Sequence, residues 1–432
     1  MVIDNLIADL QEQFSQIKDT RRSLNQKLSL KDVLLSGFAL FSLKDSSLLE
    51  YIHQYKTRQS NLKSVYGIQK CPSDTAMRQI LDEVEPSQLQ ELPSRYIQLL
   101  DEEGCLSPFE LKGEHLSNHL LIPLDGTQYY GSKKVGCPCC LTKKHKDGTM
   151  TYHHNALSGV IVHPDLSEVL VVATEDIQIQ DGQTKNDHEL QAAIRLMPLI
   201  RRGIGKRKAI LGGDSLFANA PFIRLAHSFN FNFLLSIKEG YQGYPFIQFN
   251  ELSKAQKTLK YSNKDKKYQY HYEFANNLYL NGQNQDIQVN FIRFQQVDLK
   301  SGEILTMTWI TDIPITTQNC SIIVKAGRAR WKIENETFNT LKNQGYQYEH
   351  NFGHGKKHLA QNFAQLMFLA FLFDQIQQLL DTLFTKALNI CSTKKLLWLR
   401  VRQIFDLMPV KDMETIFKII TKDIKLKIEL LS

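Results

Sequence analysis

Two apolar runs that each end near an aspartate constrain the fold of this chain more than any other feature. Residues 120–124 lead into Asp125, and residues 209–211 lead through two glycines into Asp214. Short apolar runs of this kind are typical of buried β-strands, and an aspartate that closes such a run adds nothing to its packing. The helical pattern of residues 185–197 lies between the two runs. This order predicts a mixed α/β sheet, and if the two strands are neighbours their carboxylates meet at one edge of it.

The segment from residue 118 to residue 240 carries most of the strand signals. It alternates short apolar runs with helical periodicity, which predicts sheet and helix within one α/β unit. Asp187 and Glu189 lie in the first turn of the predicted helix, where acidic side chains interact favourably with the helix dipole; the alternative is a supporting acidic pair near the site. We predict five strands in this segment, at residues 119–125, 156–162, 168–173, 208–214 and 231–237.

The chain changes character several times, which predicts five regions. Residues 1–117 have helical periodicity and basic residues near their start, which predicts a helical DNA-binding region or, alternatively, a packing or dimerisation module. Residues 118–240 are the first part of the α/β core. Residues 241–312 are rich in Tyr, Asn, Gln and Lys and carry strand alternation and turn dipeptides, which predicts a β-rich insertion. Residues 313–358 complete the core, and residues 359–432 predict a C-terminal helical region.

A third acid, Glu334, lies in a basic segment of helical character, residues 328–342. Two strand-end aspartates and a helical glutamate can hold two divalent ions over a phosphodiester, as in-line displacement at phosphorus requires. Glu336 is the alternative third acid, on a different face of the helix. The four-residue spacing from Arg330 favours Glu334, whereas the spacing to Lys342 mildly favours Glu336.

This set of residues resembles the DDE transposases of bacterial insertion sequences. The resemblance is to the cut-and-paste group whose third acid lies in a Tyr-x2-Arg-x3-Glu-x6-Lys signature. Arg330 and Glu334 match the Arg–Glu spacing, whereas Gly327 occupies the Tyr position and Lys342 comes one residue later than the signature asks. The resemblance covers about residues 118–360. Two phrases look like a subgroup of these transposases, namely LDGTQY at 124–129 and EHNFGHG at 349–355.

The resemblance implies a ribonuclease H-like mixed-sheet core, interrupted by the β-rich insertion and flanked by helical regions. It implies that Asp125, Asp214 and Glu334 bind two Mg²⁺ ions, for which Mn²⁺ can substitute. One ion would activate water or a DNA 3′-hydroxyl, and the other would stabilise the leaving oxygen. Arg330 and Lys342 would contact DNA phosphates near the cut.

The resemblance also implies further DNA contacts and partners. Trp309 lies about where the family places an aromatic that stacks on a flipped base at the transposon end, although a tryptophan in a strand more often belongs to a core. The implied partners are double-stranded DNA, both at the element's ends and at the target, and a second copy of the chain in a homodimeric synaptic complex. The implied setting is the bacterial cytoplasm, in association with the nucleoid and with no membrane.

Two other classes of function remain open on the sequence alone. A decayed or domesticated transposase would keep the fold and bind DNA without cutting it, and Gly327 at the Tyr position is compatible with that. The presence of all three acids argues against decay. A ribonuclease H-like nuclease would hydrolyse DNA without joining ends to a target.

A cysteine cluster invites a separate metal hypothesis. Cys137 and Cys140 have CxxC spacing, and one or two of the downstream histidines can complete a tetrahedral zinc site, with His145 preferred over His153 and His154. The alternative is a loop of free thiols, because no second CxxC lies nearby. The seven cysteines are an odd, clustered set that does not match a secreted disulfide framework.

The bulk composition adds only broad bounds. A chain that is 42% hydrophobic and 22% charged can build sizeable cores, and its net charge of +7 is a weak indication of a polyanionic partner. The first residues lack the basic segment of a signal peptide. The longest strongly apolar run, residues 366–373, is far shorter than the roughly 20 residues that span a bilayer. We therefore expect a soluble intracellular protein.

Overall fold

The computed structural model describes residues 2–21, 27–179 and 185–424, with the backbone alone at residues 185–188. Over these ranges the protein is an α/β protein with a mixed, mostly antiparallel open sheet and flanking helices. The predicted fold class is confirmed at this level.

The chain divides into two compact units, each assembled from separate stretches of sequence. The first unit comprises Met1–Pro93, Gln128–Ala156 and Thr337–Ser432, and the second unit comprises Ser94–Thr127 and Leu157–Glu336. Asp125, Asp214 and Glu334 therefore belong to the second unit, whereas the cysteine cluster belongs to the first.

The first unit is built mainly from helices, in agreement with the helical patterns at both ends of the chain. They are α1 (Val2–Gln16), α2 (Leu30–Ser42), α3 (Leu48–His53), α4 (Tyr55–Tyr66), α5 (Asp74–Asp82), α11 (Asn339–Asn343), α12 (Leu359–Leu380), α13 (Thr382–Cys391), α14 (Lys394–Leu407) and α15 (Met413–Ile420). A further helix, α6 (Ser87–Glu102), begins in the first unit and ends in the second. Short polar side chains cap several of these helices; Ser29, for example, accepts a hydrogen bond from the Asp32 amide at the start of α2.

Helices α2 and α12 form the core of the first unit. Nearly all residues of α2 are buried, and its Phe38 packs edge-on against Phe373 of α12 with ring centroids 5.2 Å apart. Helix α12 is long and apolar enough to cross a membrane, but 83% of its most apolar window is buried inside the protein. Burial on all sides explains an apolar helix of this length as a core element.

A short hairpin completes the first unit. Strand β2 (Leu141–Lys144) pairs antiparallel with the beginning of β3 (Met150–Ile161), in the register Leu141 with His153. Strands β1 (His119–Ser132) and β3 each have residues in both units. Strand β1 is longer than the predicted strand at 119–125, and β2 was not predicted because its exposed lysines hide any apolar pattern.

The second unit is organised around the sheet. Its elements are β4 (Leu170–Ile177), α7 (Lys185–Ile204), β5 (Lys208–Gly213), α8 (Ala220–Ser228), β6 (Asn232–Ser236), α9 (Gly243–Lys254), β7 (Leu259–Lys264), β8 (Tyr268–Tyr279), β9 (Gln288–Asp298), β10 (Ile304–Thr311) and α10 (Cys320–Ala329). Strand β4 pairs with β3, which neighbours β1, and beyond β1 the order is β5-β6-β10-β9-β8-β7. The five strands and the helix predicted between 118 and 240 are all present.

Strands β1, β5 and β6 form the parallel part of this sheet. Strands β1 and β5 pair in the register His119 with Lys208 through Pro123 with Gly212, and β6 pairs with the other side of β5. The two strands that lead to the aspartates are thus neighbours, as the sequence-based argument required.

Strands β7 to β10 form an antiparallel meander over the segment predicted to be β-rich. The turn between β9 and β10 contains Gly302 with a φ of 75°, a left-handed conformation that glycine adopts without steric cost. The same segment begins with helix α9, which the sequence patterns did not predict. That helix packs Phe249 on Phe291 of β9, with ring centroids 4.2 Å apart, so its position depends on a contact remote in sequence.

Candidate active site and candidate metal centre

Asp125 and Asp214 lie at equivalent points of two neighbouring parallel strands. Each follows by two residues the last recorded pair of the β1–β5 ladder, Pro123 with Gly212. Adjacent strands lie about 4.8 Å apart, so the two aspartates lie at the same edge of the sheet. A Cβ at Gly212 would lie 3.3 Å from the Pro123 Cα, so the glycine allows close approach of the two strands at this point.

Both aspartates are half-buried and held by local backbone contacts. Asp125 Oδ1 accepts a hydrogen bond from the Gly126 amide at 2.9 Å, and Asp214 Oδ1 accepts one from the Leu216 amide at 2.9 Å. Asp125 Oδ2 lies 3.1 Å from Nη1 of Arg330, which forms an ion pair with it. One oxygen of each carboxylate therefore fixes the side chain, and the second oxygen of Asp125 already binds a cation.

Glu334 and its alternative, Glu336, both lie in a π-helical segment, Ile333–Phe338, that follows α10. Glu334 is exposed and Glu336 is half-buried. Glu334 follows Arg330 by four residues, about one helical turn, and Arg330 contacts Asp125. A single π-helical turn in a longer helix is often found at a functional site.

The three acids are not drawn together into a preformed metal site. Among the described residues, those whose ligand atoms gather within 4.8 Å of one another in a group of three or more are Cys137, Cys140, His154 and His354. Asp125, Asp214 and Glu334 are not such a group. All three acids belong to the second unit, and Asp125 and Asp214 lie at one edge of the sheet. Their ligand atoms are too far apart to bind one ion together in this conformation.

A further carboxylate, Glu189 on α7, lies close to the Asp125 strand. Glu189 is buried, and a Cβ at Gly126 would lie 3.0 Å from its Oε1. The sequence favoured a helix-dipole role for Glu189 and left a supporting acid near the site as the alternative; its approach to Gly126 of β1 is compatible with that alternative. The side chain of Asp187 lies outside the described residues.

The two predicted DNA-contacting cations have different surroundings. Arg330 forms the ion pair with Asp125 described above, and its side chain is 18% exposed. Lys342 belongs to the first unit, where its Nζ lies 2.9 Å from Glu349 Oε1. Both cations are engaged by carboxylates that a phosphate would have to displace.

Trp309 is buried rather than presented at the surface. Its side chain is 4% exposed, and a Cβ at Gly327 would lie 2.6 Å from its Cε2 and Nε1 atoms. The glycine at the signature's Tyr position is therefore the residue that leaves room for the Trp309 indole. Trp331 is 56% exposed, and with Trp309 and Arg330 it lines an open pocket.

A Cys/His cluster in the first unit is the candidate metal centre. Cys137 and Cys140 lie between β1 and β2, His154 lies in β3, and His354 lies in the loop before α12. The Cys140 Sγ lies 3.3 Å from His154 Nε2 and 3.1 Å from His354 Nε2. The sulfur atoms of the two cysteines are 3.7 Å apart, and the Nε2 atoms of the two histidines are 3.2 Å apart.

The predicted histidine ligand of this centre was wrong. His145 Nε2 makes a hydrogen bond with Thr151 Oγ1 at 2.6 Å and is not part of the cluster. The cluster instead uses His154, which the sequence offered as one of several candidates, and His354, which no local spacing connects to the CxxC pair. Cys140 and His354 are 214 residues apart in the chain.

Burial keeps the histidines of this centre neutral. It lowers the pKa of His154 to about 4, with a smaller contribution from the neighbouring His354, and it lowers the pKa of His354. Burial also raises the pKa of the Cys137 thiol. Neutral imidazoles have the lone pair that a metal requires, and a metal ion would have to displace the thiol protons.

Comparison with known proteins adds no assignment. No protein-family model and no curated protein gives a significant match to this chain.

Proposed function

We propose that this protein is a DDE transposase that moves an insertion sequence by cut-and-paste, with a ribonuclease H-like catalytic core in its second unit. The observation that carries this proposal is the parallel pairing of β1 and β5, because it brings Asp125 and Asp214 to one sheet edge. The helix that carries Glu334 supports the proposal, since its Arg330 reaches Asp125.

The proposed roles follow from the chemistry of the side chains. Asp125, Asp214 and Glu334 supply the carboxylate oxygens that Mg²⁺ or Mn²⁺ prefers, and Asp125 already pairs with a cationic group. Two bound ions would activate water or a DNA 3′-hydroxyl and stabilise the leaving oxygen. Because Glu334 is exposed, its side chain can change conformation without breaking core packing.

The proposed partners are the DNA ends of the element and the target DNA. Arg330 would exchange its contact with Asp125 for a DNA phosphate once divalent cations neutralise that carboxylate. Lys342 would do the same from Glu349, and Trp309 would border the pocket that receives an unstacked base. The proposed assembly is a homodimer that synapses two ends, acting at the bacterial nucleoid.

Cleavage of labelled DNA that carries the ends flanking this gene tests the proposal. The wild type, Asp125→Asn and Asp286→Asn are compared in the presence of Mg²⁺. Asp286 is an exposed carboxylate of the same unit that pairs with Arg224, so its variant controls for the loss of one negative charge. We expect nicking at the end junction by the wild type and by Asp286→Asn, and none by Asp125→Asn, which should still bind the ends.

Other outcomes separate the alternatives. End binding without cleavage by the wild type would favour a decayed or domesticated transposase. The glycine at position 327 and the open arrangement of the three acids are compatible with that alternative. Cleavage without joining of the ends to a target would indicate a ribonuclease H-like nuclease. Cleavage retained by Asp125→Asn would refute the proposed role of the β1 carboxylate.

A further inference from the structure

The distances within the Cys/His cluster match the edges of a metal-centred tetrahedron. With Zn–S near 2.3 Å and Zn–N near 2.05 Å, those edges are about 3.8 Å between sulfurs, about 3.6 Å between sulfur and nitrogen, and about 3.3 Å between nitrogens. The structure has 3.7 Å between the sulfurs of Cys137 and Cys140 and 3.2 Å between the Nε2 atoms of His154 and His354. Three of the four sulfur–nitrogen distances are 3.6, 3.3 and 3.1 Å, and the fourth, from Cys137 to His354, is within 4.8 Å.

The hydrogen bonds around the cluster orient the donor atoms toward its centre. His354 Nδ1 lies 3.0 Å from the Gly355 carbonyl oxygen, which can only accept a hydrogen bond, so Nδ1 carries the proton and Nε2 has a free lone pair. The Cys137 amide donates to Cys140 Sγ at 3.3 Å, a contact that stabilises a thiolate. Side chains that bind a metal ion typically make hydrogen bonds of this kind with neighbouring groups.

Aromatic rings hold both histidines from the side. Tyr129 stacks on His154 with ring centroids 5.8 Å apart, and Tyr130 lies over His354 with centroids 4.4 Å apart. The Tyr130 hydroxyl is fixed in turn, since it donates to the Val135 carbonyl at 3.0 Å. The imidazoles are therefore preorganised by groups that belong to the same unit.

We propose that Cys137, Cys140, His154 and His354 bind one Zn²⁺ ion as a structural site of the first unit. Two thiolates and two neutral imidazoles balance the charge of a divalent cation in a buried location. Four protein ligands fill a tetrahedral coordination sphere and leave no open position for water, so the site is structural rather than catalytic. The thiols release their two protons when the metal binds.

The proposed zinc ion would stabilise residues 128–156 of the first unit. Residues 128–156 form strands and turns with few buried apolar side chains, and the β2 turn region is mostly exposed. The site joins this hairpin segment to the loop before α12, a stretch more than 200 residues away in the chain. A metal cross-link of that kind stabilises a segment that lacks a hydrophobic core of its own.

A disulfide between Cys137 and Cys140 is the competing reading of the CxxC pair. The two cysteines are free thiols, and their sulfurs are 3.7 Å apart, compared with about 2.05 Å in a disulfide. Oxidation to a disulfide would also give no reason for the Nε2 atoms of His154 and His354 to lie 3.2 Å apart beside the two sulfurs. The convergence of four donors is explained by a metal and is not explained by a disulfide.

Metal analysis of the full chain tests the proposal. The protein is purified under reducing conditions without chelator, and zinc is measured for the wild type, Cys140→Ser and His354→Ala. Cys139→Ser and His145→Ala are matched controls, because Cys139 is an exposed neighbour and His145 lies in the same hairpin outside the cluster. We expect about one zinc per chain in the wild type and both controls, and at least about tenfold less in the two ligand variants.

A second measurement covers the case in which the ligand variants do not fold. The wild type is stripped of metal and titrated with Co²⁺, whose visible absorption reports tetrahedral coordination by thiolates. Zinc-free wild type that develops no such absorption would overturn the proposal, as would ligand variants that keep the zinc of the controls. Metal content is read without DNA, so this result is independent of the proposed transposase activity.

Discussion

Arg330 Nη1 lies 3.1 Å from Asp125 Oδ2, so a helix of the second unit delivers a cation to the carboxylate at the end of strand β1. The side chains of this pair are 18% and 28% exposed, which weakens screening by water compared with a surface pair. A divalent cation that binds Asp125 must compete with this guanidinium. If Asp125 binds Mg²⁺ as proposed, this ion pair would couple metal binding to the release of Arg330.

Removing the guanidinium should make metal binding easier and DNA binding harder. In Arg330→Ala, Asp125 loses its competing cation, worth on the order of 1 kcal/mol, so the Mn²⁺ or Mg²⁺ concentration that gives half-maximal thermal stabilisation should fall by about fivefold. Arg330→Lys keeps the charge and should stay closer to the wild type. Thermal unfolding over a metal titration measures the shift, and unchanged or weaker metal binding in Arg330→Ala would contradict the competition.

The contact between Gly327 and Trp309 predicts a strong side-chain limit at position 327. A Cβ there would lie 2.6 Å from two atoms of the Trp309 ring, so Gly327→Ala should lower the free energy of unfolding by about 1–3 kcal/mol through overpacking. Gly240→Ala is the control, because nothing lies within 4 Å of a Cβ at that position. Denaturant unfolding measures both.

The same contact predicts coupling between the two positions. In a Trp309→Leu background the space beside residue 327 is larger, so Gly327→Ala should cost less than it does in the wild type. Equal costs in the two backgrounds would show that the indole is not what limits position 327.

The strands between residues 118 and 240 could be predicted from the sequence. The runs that end in Asp125 and Asp214 are apolar because both strands are buried, and a buried parallel strand has a local pattern. Helix α9 had no such local signal, since its amphipathic character is weak and its Phe249 is fixed by a contact with β9.

Sites that combine distant segments were only partly accessible. The CxxC pair drew attention to a metal, but the choice of His354 over His145 follows from tertiary structure and not from spacing. The π-helical segment Ile333–Phe338 likewise has no residue signature.

A buried ion pair in the first unit gives a test of core electrostatics. Lys44 Nζ lies 2.6 Å from Asp374 Oδ2, with side chains 1% and 8% exposed, and Tyr346 donates a hydrogen bond to the same carboxylate. Removing one partner leaves the other charged group buried and unpaired. Asp374→Leu or Lys44→Met should therefore each lower the free energy of unfolding by about 3–5 kcal/mol, as measured by denaturant unfolding.

An exposed pair of the same residue types provides the control. Lys386 Nζ lies 2.6 Å from Asp423 Oδ1, but these side chains are 51% and 39% exposed. Lys386→Met should cost less than about 1 kcal/mol, because water screens and solvates the remaining charge. The double variant Lys44→Met with Asp374→Leu should cost less than the two single variants added together. Additive costs would contradict a direct charge–charge origin.

The ion pair of His227 with Asp312 predicts a pH dependence of stability in the second unit. His227 Nε2 lies 3.1 Å from Asp312 Oδ2, and this hydrogen bond raises the pKa of His227 despite the opposing effect of burial. A raised pKa means that the folded protein binds the proton more tightly than the unfolded chain. The stabilisation is therefore complete below the unfolded pKa of about 6.5 and is lost as the pH rises through the folded pKa.

The thermal midpoint of His227→Gln measured against pH checks this sign. The thermal midpoint of the wild type should exceed that of the variant at about pH 5.5, and this difference should shrink by about pH 8.5. The corresponding difference in the free energy of unfolding should stay below about 1 kcal/mol, because the His227 side chain is 48% exposed. Asp312→Asn should cost stability at both pH values, since Asp312 also accepts hydrogen bonds from Asn232 Nδ2 at 3.0 Å and the Phe233 amide at 3.1 Å. A wild-type advantage over His227→Gln that grows with pH would reverse the expected linkage, because only a histidine held neutral in the folded state stabilises more as protons become scarce.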